Sequence, residues 1–219
     1  MPPNLYAFRE QQGSYLAFLG RISPEKRPDR AIAVARRTGI PLKIAAKVDR
    51  ADQAYFDERI RPLLSEPGVE FIGEIGERDK GGFLGEALAL LFPVDWPEPF
   101  GLVMVEAMAC GTPTVAYRCG SVPEVMTDGV TGYIVDNDEQ AVAAVNSLHR
   151  ISRAACRRAF ERRFTAERMA RDYLAVYRRL GRRQARLASS VPIVSEPKFA
   201  RAAVLPPTLA TDSQLDLDA

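Results

Sequence analysis

The chain has 219 residues, of which 47% are hydrophobic and 26% charged, a composition typical of a soluble globular protein. Its net charge of +2 excludes a global electrostatic attraction to nucleic acid or to a membrane surface. The longest apolar run, residues 87–94, is too short to span a bilayer, and no secretory signal pattern is present. Cys110, Cys119 and Cys156 are odd in number and share no CxxC spacing, which predicts a reduced, cytoplasmic protein without a disulfide framework or a zinc site.

Short apolar runs alternate with longer amphipathic stretches along most of the chain. We predict six strands, at residues 15–19, 42–46, 69–72, 88–92, 113–117 and 132–135. Helices are predicted at residues 28–37, 52–64, 80–85, 101–109, from Asn137 or Asp138 onward, 152–163 and 166–183. Continuous apolar strands, rather than alternating ones, imply burial on both faces, as in a parallel sheet with helices on either side. The pattern predicts an α/β fold, a Rossmann-like doubly wound parallel sheet of about six strands with additional C-terminal helices.

The loop after the first predicted strand holds residues suited to a charged ligand. Gly20 allows a close approach to the backbone, and Arg21 and Lys26 supply two cations that suit a diphosphate. The alternative interpretation is a pair of solvated loop cations. The dinucleotide fingerprint GxGxxG is absent, which argues against nicotinamide or flavin binding by that route.

The loop at residues 95–107 carries a more specific pattern. Two prolines lead into a helix that begins near Phe100, and its free N–H groups and positive dipole end form an anion site. Glu98 precedes this helix and Glu106 lies about two turns inside it, roughly 10 Å along the axis. This separation suits one carboxylate at a sugar and another at a more distant pair of hydroxyls. Glu106 has apolar neighbours, so we expect a buried acid with partners rather than a solvated helix face; for Glu98 the alternative is a simple helix-start acid.

Four sequence blocks, in order and correctly spaced, resemble the donor-binding half of family 4 glycosyltransferases. They are YLAFLGRISPEKRPDRAI, VEFIGEIGERDK, WPEPFGLVMVEAMACGTPTVA with its two Glu separated by seven residues, and GSVPEVMTDGVTGYIV. The resemblance extends over about residues 5–180. It implies the C-terminal half of a GT-B fold, in which two Rossmann-like domains face each other across a cleft. It also implies transfer of a sugar, with retention, from a nucleotide-diphosphate sugar to an acceptor.

The resemblance also implies roles for single residues. Glu98 is the expected catalytic residue at the transferred sugar, and Glu106 is expected to bind the ribose hydroxyls. The other expected donor-binding groups are Arg21 and Lys26 at the leaving diphosphate, the backbone amides of Phe100, Gly101 and Leu102 at sugar or phosphate oxygens, and Gly73, Glu74 and Ile75 around the base. Such enzymes generally need no bound metal, so we expect no cofactor. His149, the single histidine, matches no catalytic position and is expected to be structural.

Members of the resembled family have an acceptor-binding domain before the donor-binding one. We therefore expect residues 1–14 to be the remnant of an interdomain linker, residues 15–183 the nucleotide-sugar-binding domain with its C-terminal helices, and residues 184–219 a disordered tail. The chain would then be half of an enzyme, with a nucleotide sugar, an unknown acceptor and a separate or missing N-terminal domain as partners. The alternative is a catalytically silent nucleotide-sugar-binding module or a truncation product.

The small net charge conceals an arginine-rich stretch at residues 150–187. It holds thirteen Arg and three acidic residues, a local charge of +10 that leaves the rest of the chain at −8. Three interpretations stay open: a solvated helix face, a surface that meets the further domain, and a peripheral contact with anionic lipid or a lipid-linked acceptor. Nucleic acid is not expected as a partner, because the stretch contains no recognised binding motif.

Overall fold

The computed structural model describes residues 1–190, with side chains as far as Arg182. Its contacts form one compact unit over Met1–Val176, and a second unit begins at Tyr177. Residues 191–219, most of the predicted tail, lie outside the described residues. No helix among residues 1–190 has both the length and the apolar character needed to cross a membrane.

One parallel sheet organises the first unit. Its strands are β1 (Tyr15–Ile22), β2 (Leu42–Val48), β3 (Val69–Gly73), β4 (Ala87–Phe92), β5 (Thr114–Tyr117) and β6 (Gly132–Val135). They are arranged in the order β3-β2-β1-β4-β5-β6. Leu16 of β1 pairs with Leu42 of β2 on one side and with Ala89 of β4 on the other. This order and direction confirm the predicted doubly wound α/β fold.

The helices are α1 (Pro28–Thr38), α2 (Gln53–Tyr55), α3 (Glu77–Gly85), α4 (Leu102–Cys110), α5 (Val122–Val125), α6 (Asp138–Asn146), α7 (Arg153–Arg163) and α8 (Ala166–Ser190). Gly39 ends α1 with a φ of 69°, as predicted. The side chain of Asn137 accepts a hydrogen bond from the N–H of Gln140, which fixes the predicted start of α6. α8 extends beyond the boundary predicted at residue 183, since good helix formers continue the run.

The helix predicted at residues 52–64 is confirmed as a helical segment, but its hydrogen bonding is not regularly α-helical. The segment runs without a break through a 3₁₀ turn at Arg50–Asp52, α2, a π-helical stretch at Phe56–Ile60 and a 3₁₀ stretch at Arg61–Ser65. Pro62 lies in the last of these, has no N–H to donate and cannot sustain an α-helical ladder.

The inner strands β1, β2, β4 and β5 are largely buried on both faces, as their continuous apolar sequences predicted. The same expectation is wrong for the edge strand β3, where Glu70 and Ile72 are exposed. Ala17 and Leu90 belong to a core cluster that includes residues of α3, α4 and α7. Leu16 and Ala89, the adjacent positions, belong to a second cluster that includes residues of α1 and α6. Two helical layers therefore enclose the sheet, and its carboxyl edge remains as the place for a ligand.

Two arginines of α7 fix the N-terminal segment, residues 1–14, to the domain. Arg153 is 7% exposed and donates to the carbonyls of Arg9, Gly85 and Ala87 and to Thr112 Oγ1. Arg157 donates to the carbonyls of Pro3, Tyr6 and Ala109. Desolvation by burial lowers the pKa of Arg153 from its usual value. A solvated helix face is therefore the wrong interpretation for these two members of the arginine-rich stretch.

Candidate functional site

The sheet topology brings two distant loops together. The strand order reverses between β1 and β4, so the loops that follow these two strands flank one crevice at the carboxyl edge of the sheet. A pocket of about 190 Å³ lies there. Its lining includes Gly20, Lys26, Phe92, Glu98, Gly101 and Leu102. Several of the residues predicted to bind the donor thus meet at one place.

Lys26 and Glu98 form an ion pair in this crevice. The Lys26 ammonium donates a short hydrogen bond to Glu98 Oε2, and both side chains are largely shielded, 21% and 11% exposed. The indole N–H of Trp96 donates to the same oxygen at 2.9 Å, and Lys26 Nζ lies 5.3 Å from the centroid of the Trp96 ring. Two donors on one oxygen fix the direction of the Glu98 carboxylate.

Arg27 links the loop after β1 to the loop after β4. Its guanidinium donates to both oxygens of Asp29 at 2.8–3.1 Å and to Asp95 at 2.9 Å. The N–H of Asp95 donates in turn to the carbonyl of Glu25 at 2.8 Å. Hydrogen bonds with Asp29 are the largest cause that raises the pKa of Arg27. Sequence reasoning missed this link, because Arg27 and Asp95 are 68 residues apart.

The loop after β5 holds the backbone of Glu98 from the opposite side. The N–H of Ser121 donates to the carbonyl of Glu98 at 2.9 Å. Gly120 has a φ of 54°, and a Cβ built there would lie 2.3 Å from the backbone nitrogen of Glu98. Only glycine tolerates both the left-handed conformation and this approach. The position of Glu98 therefore depends on Gly120.

Helix α4 directs its N-terminus into the pocket. Gly101, at the N-cap, has a φ of 72°, and a Cβ there would lie 2.5 Å from Met104 Cε. The first N–H groups of an α-helix have no partner within the helix and carry a partial positive charge. The amides of Phe100, Gly101 and Leu102 thus lie at a helix start where an anion could accept from them.

Glu106 is buried in α4 and has partners, as its apolar neighbours predicted. It is 8% exposed, and its Oε1 accepts from Lys80 Nζ at 3.0 Å and lies 3.4 Å from the Tyr6 hydroxyl. The alternative of a solvated helix face is wrong for this residue. Sequence reasoning missed both Lys80 and Tyr6, which lie 26 and 100 residues away and come from α3 and from the N-terminal segment. Glu98 and Glu106 therefore belong to two separate contact groups.

Arg21 lies at the carboxyl end of β1 but contacts a different set of residues. Its half-exposed guanidinium forms ion pairs with Glu25 at 2.7 Å, Asp49 at 3.5 Å and Asp52 at 3.8 Å. Two of these acids follow β2, on the side of β1 away from β4. A contact between Arg21 and a diphosphate stays a prediction.

The remaining predicted positions lie outside these contact groups. Gly73 ends β3 with a φ of 86°, followed by an exposed Glu74 and a half-buried Ile75 just before α3. His149 is exposed, with Nδ1 3.2 Å from the carbonyl of Asn146. Across the described residues, no group of three or more His, Cys, Asp or Glu is placed to hold a metal ion. Base framing by residues 73–75 and a metal-free reaction both stay predictions.

Comparison with known proteins identifies the family. Residues 8–163 match the family model described as glycosyl transferases group 1. The chain belongs to this glycosyltransferase family. Glu98, Glu106 and Lys26 all fall within the matched residues, so the crevice lies in the part of the chain that defines a group 1 glycosyltransferase. The assignment to the glycosyltransferases that was made from the sequence is therefore confirmed at the level of the group 1 family.

Two curated relatives are much longer than this group 1 glycosyltransferase chain. D-inositol 3-phosphate glycosyltransferases of Mycobacterium bovis and Mycobacterium tuberculosis are 35% identical to it over 180 residues. This match covers 75% of the chain but only 37% of those relatives. The chain therefore spans well under half the length of the curated relatives it matches.

Solved structures share the fold. AviGT4, a glycosyltransferase involved in avilamycin A biosynthesis, is 29% identical with a TM-score of 0.70, over 82% of this chain and 56% of its own. HepE of Anabaena in complex with UDP is 20% identical with a TM-score of 0.71, over 81% and 55%. The C-terminal domain of a group 1 family protein from Francisella tularensis is 18% identical with a TM-score of 0.61, over 76% and 99%. These matches support the assignment to the C-terminal half of a GT-B fold.

Proposed function

We propose that the chain is the nucleotide-sugar-binding half of a retaining family 4 glycosyltransferase. The observation that carries this proposal is the Lys26–Glu98 pair in the crevice, beside the N-terminus of α4. Glycosyl transfer leaves positive charge on the sugar and negative charge on the departing diphosphate. In the crevice, the Glu98 carboxylate can stabilise the positive charge on the sugar. The Lys26 ammonium and the N–H groups of α4 can stabilise the negative charge on the diphosphate.

In the proposed reaction, the bond between the anomeric carbon of the sugar and the terminal phosphate oxygen breaks, and its electron pair leaves with the diphosphate. A hydroxyl oxygen of the acceptor forms the new bond to that carbon on the same face, and its proton passes to the departing phosphate. Lys26 exchanges part of its contact with Glu98 for the phosphates, and the amides at Gly101 and Leu102 donate to the same oxygens. The Glu98 carboxylate lies beside the sugar and favours its developing positive charge. Because side chains and amides neutralise the diphosphate, we expect donor binding to persist in the presence of a chelator.

The nucleoside would extend from the crevice towards Glu106. A buried carboxylate that already accepts one hydrogen bond can still accept others from vicinal ribose hydroxyls, as the resemblance implies for this position. The base would then lie near Gly73, Glu74 and Ile75, between β3 and α3. The presence of UDP in the related structure of HepE supports a nucleoside diphosphate as the ligand class.

We propose that a further domain binds the acceptor and places it beside the donor. The length of the relatives supports this, since the chain covers 56% of AviGT4 and 37% of the mycobacterial enzymes. The chain alone should therefore bind a donor without transferring its sugar. Transfer by the 219-residue chain to a panel of acceptors would overturn the half-enzyme proposal.

We also propose a reducing, cytoplasmic compartment for the chain. All three of its cysteines are free, and Cys110 and Cys156 are buried. Burial raises the pKa of both thiols to about 12, so they behave as small apolar side chains. Buried cysteines that form no disulfide are typical of proteins that fold under reducing conditions.

Titration with nucleotides tests donor binding directly. UDP, GDP, ADP and their sugar derivatives are added to the chain, and binding is followed by calorimetry and by the fluorescence of Trp96, the single tryptophan. One nucleotide series should bind, and Glu106→Ala should lower its affinity at least tenfold, equivalent to about 1.4 kcal/mol. Glu70→Ala, which removes a 61% exposed carboxylate of β3, is the matched control and should bind as the wild type does. Absence of nucleotide binding, or wild-type affinity in Glu106→Ala, would contradict the site assignment.

A further inference from the structure

Glu106 belongs to a ring of four polar side chains, with Lys80, Glu77 and Tyr6 as the other members. Lys80 Nζ lies 3.0 Å from Glu106 Oε1 and 3.0 Å from Glu77 Oε2. The Tyr6 hydroxyl donates a short hydrogen bond to Glu77 Oε1 and lies 3.4 Å from Glu106 Oε1. Three separate parts of the chain, the N-terminal segment, α3 and α4, thus meet at this one carboxylate. None of Tyr6, Glu77 and Lys80 has a role in the function proposed above.

The burial of Glu106 makes a cation necessary at this place. Its side chain is 11% exposed in a helix whose other residues are apolar, where an unpaired carboxylate would be strongly disfavoured. Lys80 is the cation that compensates it. Burial alone would lower the pKa of Lys80, but hydrogen bonds to Glu77 and Glu106 raise it above its usual value. Lys80 therefore remains an ammonium ion beside Glu106 at neutral pH.

Glu77 and Tyr6 hold Lys80 in turn. The hydrogen bond from the Tyr6 hydroxyl is the largest cause that lowers the pKa of Glu77, and the hydrogen bond from Lys80 adds to it. Tyr6 is 4% exposed and its main-chain carbonyl accepts from Arg157, so this donor is anchored. The ammonium of Lys80 is thereby fixed between two carboxylates rather than free to turn towards solvent.

The contacts of Lys80 and Tyr6 leave one oxygen of Glu106 unused. The hydrogen bond from Lys80 and the approach of the Tyr6 hydroxyl both fall on Oε1, and among the side chains described, residues 1–182, none donates to Oε2. We propose that Lys80 is a positioning residue for nucleotide binding: it holds Glu106 by Oε1 as a carboxylate, so that Oε2 accepts a hydrogen bond from the ribose. This inference rests on the proposed function, in which Glu106 is the residue that contacts the ribose.

The ribose hydroxyls provide the test. UDP and 2′,3′-dideoxy-UDP are titrated into the chain and its variants, with the GDP and ADP pairs run in parallel. The wild type should prefer the ribonucleotide at least tenfold. Lys80→Met should lose about tenfold in affinity for the ribonucleotide and little for the dideoxy analogue, because only the ribose contact depends on Lys80. Lys80→Arg should restore most of the preference for the ribonucleotide. Lys43→Met, which removes a surface ion pair with Glu70, is the control and should change neither affinity.

Two further variants keep the test decisive if Lys80→Met folds poorly. Lys80→Met combined with Glu106→Gln removes both charges, and its affinity should be no lower than that of Glu106→Gln alone, since the two residues act as one unit. Tyr6→Phe keeps both charges and should cause a smaller loss, again confined to the ribonucleotide. Circular dichroism establishes that each variant is folded.

The outcomes separate this inference from the proposed function. If the wild type binds nucleotides and Lys80→Met weakens the ribonucleotide and its dideoxy analogue equally, Lys80 contacts the phosphates or acts structurally, and the positioning role is refuted. Additive losses in the double variant would refute it as well. If the wild type binds no nucleoside diphosphate, the proposed function and the role of Lys80 both fall.

Discussion

Gly120 offers a way to disturb Glu98 without changing any charged side chain. It has a φ of 54°, and a Cβ added there would lie 2.3 Å from Glu98 N, 2.5 Å from Glu98 O and 2.7 Å from Pro97 C. All three are main-chain atoms, which cannot rotate aside as a flexible side chain would. Gly120→Ala must therefore shift the loop after β4, which carries Glu98.

The magnitude follows from comparison with Gly129, in a later turn of the same connection between β5 and β6. Gly129 also has a positive φ, 72°, but a Cβ added there would have no atom within 4 Å. Gly129→Ala should cost only the left-handed conformation, about 1–2 kcal/mol. Gly120→Ala should cost this and an overpacking penalty of about 1–3 kcal/mol, so about 2–5 kcal/mol in all. The difference between the two variants measures the collision with the Glu98 backbone.

Urea unfolding followed by circular dichroism gives both stabilities, and titration with the bound nucleotide gives the effect on the crevice. Gly120→Ala should weaken nucleotide binding at least tenfold, because Glu98 and Lys26 lose their alignment. Gly129→Ala should bind within about twofold of the wild type. Equal losses of stability in the two variants, or unchanged binding in Gly120→Ala, would refute the dependence of Glu98 on this loop.

Two further predictions concern the buried polar and thiol groups. Arg153→Met removes four hydrogen bonds and should lower the free energy of unfolding by about 3–5 kcal/mol in urea titrations, whereas the exposed Arg150→Met should change it by less than about 0.5 kcal/mol. Burial raises the pKa of Cys110 and Cys156 from 9.0 to about 12, so the folded chain keeps thiol protons that the unfolded chain loses. Their contribution to stability is complete below pH 9 and should disappear as the pH rises towards 12; a urea midpoint that does not fall between pH 9 and pH 12 would contradict this.

Much of the fold could be predicted from the sequence because its signals are local. An apolar run such as residues 88–92 is what a strand buried on both faces requires, and it lies within β4, Ala87–Phe92. Gly101 and Gly111 flank α4, and the helix begins and ends at these residues because each adopts a left-handed conformation. The helix predicted at residues 52–64 is helical as far as Ser65, but the amphipathic pattern does not show its change from α-type to π- and 3₁₀-type hydrogen bonding around Pro62, which has no N–H to donate.

Candidate residues of the site could be predicted from the loops that carry them, but the contacts between those loops could not. Glu98 and the N-terminus of α4 lie within a few residues of each other, so their spacing already suggested an anion site. The contacts of Arg27 with Asp95 and of Lys80 with Glu106 depend on which strands are neighbours and how helices pack, and periodicity does not contain this information. Arg153 illustrates the same limit: a run of arginines is usually solvated, but this one packs against the starts of the strands.

The crystal structure of the chain with its nucleoside diphosphate bound is the most direct test of where the donor lies. The diphosphate should contact Lys26 Nζ and the N–H groups at the start of α4, and a ribose hydroxyl should donate to Oε2 of Glu106. A nucleotide bound outside the crevice between β1 and β4, or one whose ribose lies away from Glu106, would contradict the proposed site.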